Sequence, residues 1–358
     1  MADHVLLLDN DDVERVLDLD ACLSALERAY RAMAEGRSVE RARSQTRVPL
    51  DEPDVTYCFK SMEGALIGDG YMTLRLTSDA VFEGAVDGRR RREKLARGPG
   101  GTYCGLILVF STRDLAPVAL IHDGLVQLVR VACTSAVSIR LLARADATDL
   151  ALLGSGEQAW WHLKAASTVR TLRRVRVFSP DAGRRESFAA RARDELGLPV
   201  EAVGDAQAAV TEADIVIAAT NASEPVLDGR WLSPGAHVVS IVSGDKRSIR
   251  RELDDETLRR AARVVAHSKS GAIEHRNGDL AGPVEAGLLS WDTIVDLPDL
   301  VAGRSPGRAG RDDITVFKNN GGMGLQFAAV APVVYESAHA AGIGRRLPAG
   351  WFVETMKS

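Results

Sequence analysis

Leu150-Ala151-Leu152-Leu153-Gly154-Ser155-Gly156-Glu157-Gln158-Ala159 is the stretch on which the fold turns. Four apolar residues read as a short buried strand, and a G-x-G-x-x-A turn follows at once. Gly154 permits a tight turn, Gly156 removes a side chain where backbone must approach a pyrophosphate, and Ala159 lets the next helix pack close to the strand. Free N–H groups at the helix start would then face the phosphates. Ordinary strand–helix turns also match this pattern, so its surroundings decide. Downstream, the apolar runs predict strands at Val175–Phe178, Val200–Val203, Ile215–Thr220, His237–Val242 and Val264–Ala266. Helices are predicted from the turn to about Thr171, at Arg184–Leu196 and at Ala206–Glu212. Strands alternating with helices imply a parallel sheet covered on both faces. Here the turn follows a strand, opens a helix and precedes a second strand at the right distance, which favours a nicotinamide dinucleotide. The second strand ends in Phe178-Ser179-Pro180, without the Asp or Glu that would grip ribose hydroxyls, and Arg184 and Arg185 follow. That favours NADP over NAD; NAD remains if these arginines only decorate the next helix.

Upstream, Leu19, Cys22, Leu23, Leu26, Ala29, Tyr30 and Met33 form one helical stripe, with Asp18 as N-cap and Gly36 as stop. Tyr71–Leu76, Gly105–Phe110 and Pro117–Ile121 read as strands, with a turn at Thr112-Arg113-Asp114. Asp87–Gly101, with four consecutive arginines, reads as a solvated loop or as a lid or phosphate clamp. Residues 302–312 read as a second Gly/Arg-rich surface loop. The 358 residues carry 45 Lys+Arg against 49 Asp+Glu, a net charge of −4, which argues against a general nucleic-acid binder. No run of about 18 apolar residues appears, so no membrane segment is expected. Four scattered cysteines without a CxxC pair fit reduced thiols in a cytoplasmic protein, and no metal-ligand spacing is present. No G-x-S-x-G elbow suggests a hydrolase.

Several stretches together fit one family. GSGEQA at 154–159, Arg130 in LVRVACTSAVSIRLLAR, Ala219-Thr220-Asn221 before Glu224-Pro225, SGDKRSIRRELD at 243–254 and ITVFKNNGGMGLQFAAVAPVVYE at 314–336 stand in the family's order and spacing. Over nearly its whole length the chain resembles the ornithine cyclodeaminase/mu-crystallin family. LRLTSD, PGGTYCGL and RVACTSA are most similar to a subgroup named after tyramine oxidase, a name that does not itself specify chemistry. The resemblance implies an α/β protein: a Rossmann-type doubly wound parallel sheet, residues 129–316, inserted into a second mixed α/β domain for substrate binding and dimerisation, residues 1–128 with 317–358. It also implies a homodimer.

By the same resemblance, Arg47 and Arg75 face the substrate and Arg130 lies between substrate and cofactor. A planar guanidinium fork matches an α-carboxylate. Many members have Lys where this chain has Arg75, and Arg cannot shuttle a proton, which sets the chain apart from lysine-dependent activities such as simple alanine dehydrogenation. Asp245, after the strand at 237–242, matches the family's catalytic aspartate, placed to exchange a proton with nitrogen; an Asx-turn role is the alternative. Asn319 and Asn320 match positions near the nicotinamide, with Asn319 on the cofactor and Asn320 toward substrate. Thr102, Gly154, Gly156, Gln158, Ser179, Arg184, Thr220 and Arg130 complete the expected cofactor set. Gln326-Phe327 replaces a Leu/Glu-Asp pair and signals a divergent pocket. The implied reaction moves a hydride between NAD(P) and the nitrogen-bearing carbon of a small imine or amino acid. A deaminating lyase of the ornithine cyclodeaminase type and a non-enzymatic NADP-binding crystallin-like protein are the alternatives.

Overall fold

A computed structural model describes residues 3–86, 89–244, 249–319 and 321–354, with 85–86 and 89–92 as backbone only. The chain divides into two compact units, Met1–Arg130 with Gly322–Ser358, and Val131–Gly321.

The second unit holds eight strands paired in parallel. In spatial order they are Val200–Ala202, Arg174–Phe178, Asp149–Leu153, Ile215–Ala218, His237–Ser240, Ile314–Lys318, Ala261–Ala266 and Val295–Asp296. The first five stand in the order third, second, first, fourth, fifth, that of a doubly wound nucleotide-binding sheet. Its direction reverses beside Asp149–Leu153, at whose C-terminal end such folds bind ligands. The two central strands, Asp149–Leu153 and Ile215–Ala218, are short and mostly apolar because helices cover both faces. Leu150, Ala151, Leu152, Ile215, Val216, Ile217, Val238 and Val239 are all buried. The helix Glu157–Val169 follows the glycine turn, and Ala182–Leu196, capped by the Asp181 side chain on Arg184 N, follows the second strand.

His162 and His237 are among the buried residues of this unit. His162 Nδ1–H donates to Gln158 O (2.7 Å), and its Nε2 accepts from Ser135 Oγ (3.0 Å). His237 bonds Thr315 Oγ1 (2.9 Å) and Ser138 Oγ (3.2 Å). Burial pushes the His162 pKa down to about 4, and burial with the nearby charges of Arg308 and Arg170 pushes His237 to about 3. Both are neutral when folded, whereas the unfolded chain takes up their protons below about pH 6.5. Their contribution is therefore intact above pH 6.5 and lost as pH falls from there toward 4 and 3. The expected slope approaches about 1.4 kcal/mol per pH unit for each histidine. Urea midpoints measured at intervals from pH 7 to pH 5 should fall steadily, and His237→Gln, though less stable at pH 7, should show a shallower fall. Parallel curves for the two proteins would exclude His237 as a source of the acid sensitivity.

In the first unit a nine-stranded mixed sheet is built on long antiparallel hairpins. Val55–Leu66 pairs Tyr71–Val86, which pairs Cys104–Ser111, which pairs Ala116–His122. His4–Leu8 joins Ala116–His122 in parallel, and Ser44–Pro49 lies antiparallel on Val55–Leu66. The helices Leu19–Ala34 and Gly324–Ala341 pack together, and the latter also covers the long hairpin. Gly64 and Gly324 allow helix and strand backbones to touch there, since a Cβ on either would strike the other's backbone or its neighbour's. Asp18 caps the first of these helices as expected, and Gly36 follows its end at φ +70°.

Two expectations for this unit need correction. The strand expected at Tyr71–Leu76 runs on to Val86, because the polar Thr77, Ser78 and Asp79 continue its alternation. The stretch expected as a loop, Asp87–Gly101, contains the strand Arg89–Leu95, paired with the end of that same strand. Charged residues are tolerated on such an edge strand, which is why its composition reads as loop. Asp87, Gly88 and the side chains of Arg89–Arg92, on which the lid or clamp reading depended, lie outside the described residues. The helix Asp123–Leu142 does have the length and composition of a membrane span, but 72% of that window is buried within the protein.

Candidate active site

In the second unit the glycine turn is built for a close approach. Gly154 sits at φ +118°, and a Cβ there would drive into Ala219 O on the neighbouring strand's continuation. Only glycine fits. Gly156 differs: its φ of −95° is ordinary, and a Cβ built on it meets nothing within 4 Å. It caps the 13-residue helix Glu157–Val169 without a side chain of its own, leaving the first-turn N–H groups open. Gln158 Oε1, in that first turn, is buried without a hydrogen-bond partner. A cradle that excludes a Cβ at one glycine, space at the next and an orphaned acceptor beside them fit a dinucleotide's pyrophosphate and its hydroxyls.

A cleft of about 330 Å³ lies in front of this turn, lined among others by Ser155, Gly156, Trp160, Arg184, Phe188 and Arg191. Ser179, at the end of the second strand, is bonded to Ser155 (Oγ to Oγ 2.8 Å). Arg184 is exposed and leans toward Asp181 (3.6 Å). Arg185 donates to Ser179 O (3.0 Å) and lies over the Phe178 ring. Arg191 covers the Trp160 ring at 3.8 Å. The second strand is thus followed by Ser179 and not by a carboxylate.

Asn319 is buried, and its Nδ2 donates to Val131 O (2.9 Å) and Ser135 Oγ (3.0 Å). Ser135 in turn meets His162, so one chain of hydrogen bonds joins Gln158 O to Asn319. Thr220 is engaged by a residue that the sequence did not reveal. Its N–H (2.7 Å) and hydroxyl (2.8 Å) both donate to Glu252 Oε1. Glu252 Oε2 accepts from Ile241 N (2.9 Å) and Val242 N (2.8 Å). Lys318 Nζ donates to Val242 O (2.8 Å), Ser240 Oγ (2.8 Å) and Asp279 Oδ2 (2.6 Å). Glu252, Asp279 and Lys318 are completely buried. Charges so placed persist only when paired and fully hydrogen-bonded, and here they tie the ends of three strands together. In the sequence, Glu252 stands within the RELD run and Lys318 within ITVFKNN, with nothing to show that they meet. Asp245 and Asn320 lie outside the described residues.

In the first unit Arg47, Arg75 and Arg130 are each held by protein groups. Arg75 Nε and Nη2 grip Asp123 Oδ1 (3.0 Å) and Oδ2 (2.5 Å), and its Nη1 touches Met62 Sδ (3.9 Å). Gly105 makes room, since a Cβ there would lie 2.7 Å from Asp123 Oδ2. The bidentate fork expected to take a substrate carboxylate thus holds a protein carboxylate, as a buried guanidinium requires. Arg47 is likewise bidentate on Glu83 (3.0 and 3.3 Å). Arg130 bonds Gln326 Oε1 (2.5 Å) and Gln127 Oε1 (2.9 Å). The Phe327 ring lies under both Arg75 (5.1 Å) and Arg130 (5.3 Å), so the divergent Gln326-Phe327 pair cradles two cations. Burial, then the like charge of Arg75, lowers the Arg130 pKa. Thr102 stands apart in the tight turn 98–102, where its exposed hydroxyl donates to Pro99 O (2.9 Å). Lys60, also not singled out from the sequence, is buried against Asp79 (3.2 Å).

A doubly wound sheet with a glycine cradle defines a dinucleotide-binding α/β protein. The model of the ornithine cyclodeaminase/mu-crystallin family matches residues 3–342, and the chain belongs to that family. It is 32% identical over 247 residues to a Delta(1)-pyrroline-2-carboxylate reductase of Bacillus cereus, covering 69% of this chain and 74% of that one. It is 30% identical over 231 residues to the ketimine reductase mu-crystallin of Mus musculus, covering 64% and 68%. The structure of Thermococcus litoralis Delta(1)-pyrroline-2-carboxylate reductase in complex with NADH and L-proline superposes with a TM-score of 0.82 at 26% identity, over 96% of this chain and 100% of that one.

Proposed function

We propose that this protein is an NAD(P)-dependent oxidoreductase that moves a hydride to or from the nitrogen-bearing carbon of a small imine or amino acid. The observation that carries the reading is the glycine cradle at Gly154 and Gly156, in a chain whose relatives include proteins named as a Delta(1)-pyrroline-2-carboxylate reductase and a ketimine reductase. A bound nicotinamide supplies the hydride chemistry. Gly154, Gly156, Gln158, Thr220 and Asn319 hold the dinucleotide, with Thr102 and Arg130 as further contacts. Ser179 and Arg184, with no carboxylate at the strand end, favour the 2′-phosphate of NADP. Arg130, pressed by its burial and by Arg75, holds the substrate carboxylate, and Arg47, Arg75 and Asn320 shape its surroundings. Asp245 would give a proton to the imine nitrogen as the carbon is reduced by hydride, or take one from the amine nitrogen as the carbon gives up hydride to the oxidised nicotinamide. Assembly as a homodimer through the first unit belongs to the same reading. It is supported by the exposed Trp351, Phe352 and Val353 at that unit's C-terminal end, and sedimentation equilibrium measures it.

The purified protein, incubated with NADPH or NADH and with imines formed from 2-oxo acids and amines, should oxidise the cofactor at 340 nm, with NADPH preferred. Ammonia release from diamino acids without net cofactor turnover would replace this reading with the lyase. Dinucleotide binding with no turnover across imines and amino acids would replace it with a binding protein.

A further inference from the structure

Asn319 follows the strand Ile314–Lys318 and is only 2% exposed, yet half of its amide is uncommitted. Its Nδ2 has two acceptors, Val131 O (2.9 Å) and Ser135 Oγ (3.0 Å), one turn apart on the helix Asp123–Leu142. A backbone carbonyl can only accept, so the amide nitrogen must face Val131 O and cannot exchange places with the oxygen. Both amide protons are then used. Oδ1 is left over, and among the described residues nothing donates to it.

A second carbonyl orients Ser135 from the other side. Gln158 O accepts from His162 Nδ1–H (2.7 Å). Burial keeps the imidazole neutral, with its pKa down at about 4, so Nε2 carries no proton and accepts from the Ser135 hydroxyl (3.0 Å). The one hydroxyl proton of Ser135 is spent on His162, and toward Asn319 its oxygen can only accept. Gln158 O and Val131 O, neither of which can donate, thus fix every proton between them. The outcome is an amide that presents an acceptor and no donor. Buried acceptors are seldom left without a partner, which points to a ligand that brings an N–H or O–H.

The position of Asn319 selects the ligand group. Its strand is parallel to the one before the glycine turn and three strands away, roughly 14 Å at ordinary strand spacing, so both end at the same edge of the sheet. Ser179 ends the strand on the opposite side of the turn. A dinucleotide laid across Gly154 and Gly156 with its adenosine ribose at Ser179 sends its nicotinamide half toward Asn319. The donor carried there is the carboxamide N–H. We propose that His162 is a positioning residue which, through Ser135, holds Asn319 so that Oδ1 accepts from the nicotinamide carboxamide. The inference rests on the dinucleotide reading above and adds a selection to it, against a pyridine ring whose substituent has no donor. Without the His162 acceptor the Ser135 proton is free to turn toward Asn319, and the amide loses its single orientation.

The test uses NADP and its 3-acetylpyridine analogue, in which a methyl group replaces the carboxamide NH2. Each is titrated against NADPH bound to the full-length protein, with displacement followed by NADPH fluorescence. The wild type should bind NADP about 5–100-fold more tightly than the analogue, the range set by leaving a buried acceptor unsatisfied. Asn319→Ala should bring that ratio toward one. His162→Leu and Ser135→Ala should do the same, by weakening NADP while the analogue changes little. His162→Gln, whose Oε1 reaches the place of Nε2, should keep most of the ratio. Thermal melts check folding, and Ser135→Ala carries the test if His162→Leu melts below the assay temperature. Equal loss of affinity for both dinucleotides in His162→Leu and Ser135→Ala would reduce His162 to a structural role and overturn the proposal. Equal binding of NADP and the analogue by the wild type would overturn it too, while leaving the dinucleotide reading intact. Failure of the wild type to bind either dinucleotide or NADPH would overturn both.

Discussion

Gly156→Val should fold as the wild type folds and lose dinucleotide binding, with Kd raised on the order of 100-fold or more. The expectation rests on the difference between two glycines two residues apart. At Gly156 the backbone is in a region that valine favours, and a Cβ there meets nothing within 4 Å. Losing glycine as the helix cap lowers stability by less than about 1 kcal/mol. The new methyls occupy only the space in front of the first-turn N–H groups, where a pyrophosphate would lie. Gly154→Val should behave in the opposite way. At φ +118° the backbone strain alone is about 1–3 kcal/mol, and the side chain must displace Ala219 O from the adjoining strand. That variant should melt well below the wild type before any ligand is added. Thermal melts with and without NADPH separate the two. Wild-type melting with no NADPH shift is the expected Gly156→Val result; a full NADPH shift in that variant would remove the glycine turn from the cofactor site.

The contrast also shows where the sequence is legible. The parallel strands around the turn are buried on both faces, so they appear as uninterrupted apolar runs at Leu150–Leu153 and Ile215–Ala218 and as a Val-Val pair within His237–Ser240, and their boundaries can be read to within about two residues. The first unit is harder, because its strands have one buried face and its inward positions include charge. Thr77 and Asp79 continue the Tyr71–Val86 strand inward although both are polar. The Arg89–Leu95 strand lacks any apolar alternation.

The site divides in the same way. Gly154, Gly156 and Ser179 are legible because a local motif sets their spacing. Glu252, Asp279 and Lys318 are 27 and 39 residues apart in sequence and meet only because strand and helix ends converge. No spacing rule identifies such a group. Asp123 was likewise visible as a residue, but its partner Arg75 is 48 positions away, on a strand reached through two hairpins. A carboxylate that fills an arginine's fork is a tertiary fact. The proposed reading assigns the carboxylate-binding role to Arg130, whose neighbours include two amide oxygens and an aromatic ring.

That shift sharpens what Asp245→Asn should do. If the arginines anchor anions, none of them exchanges a proton, because a guanidinium stays charged at neutral pH. Lys60 is bound to the ionised Asp79 carboxylate. Asp123 is bound by Arg75, while Glu252 and Asp279 accept several hydrogen bonds each. Among the groups assigned to the site, Asp245 alone is left to serve the nitrogen. Asparagine keeps its size and polarity but cannot carry that proton. General acid–base catalysis contributes about 10²–10⁴-fold, and turnover should fall by that factor while NADPH binding, measured by fluorescence, stays near normal. The pH profile supplies the second reading: the limb that the wild type owes to a single carboxyl group should disappear in the variant. A variant equally slow at every pH but unable to bind NADPH would indicate a structural role for Asp245. Near wild-type turnover on an imine that the wild type reduces well would mean that the proton comes from another group or from solvent, and that this chain departs from its family at the catalytic aspartate.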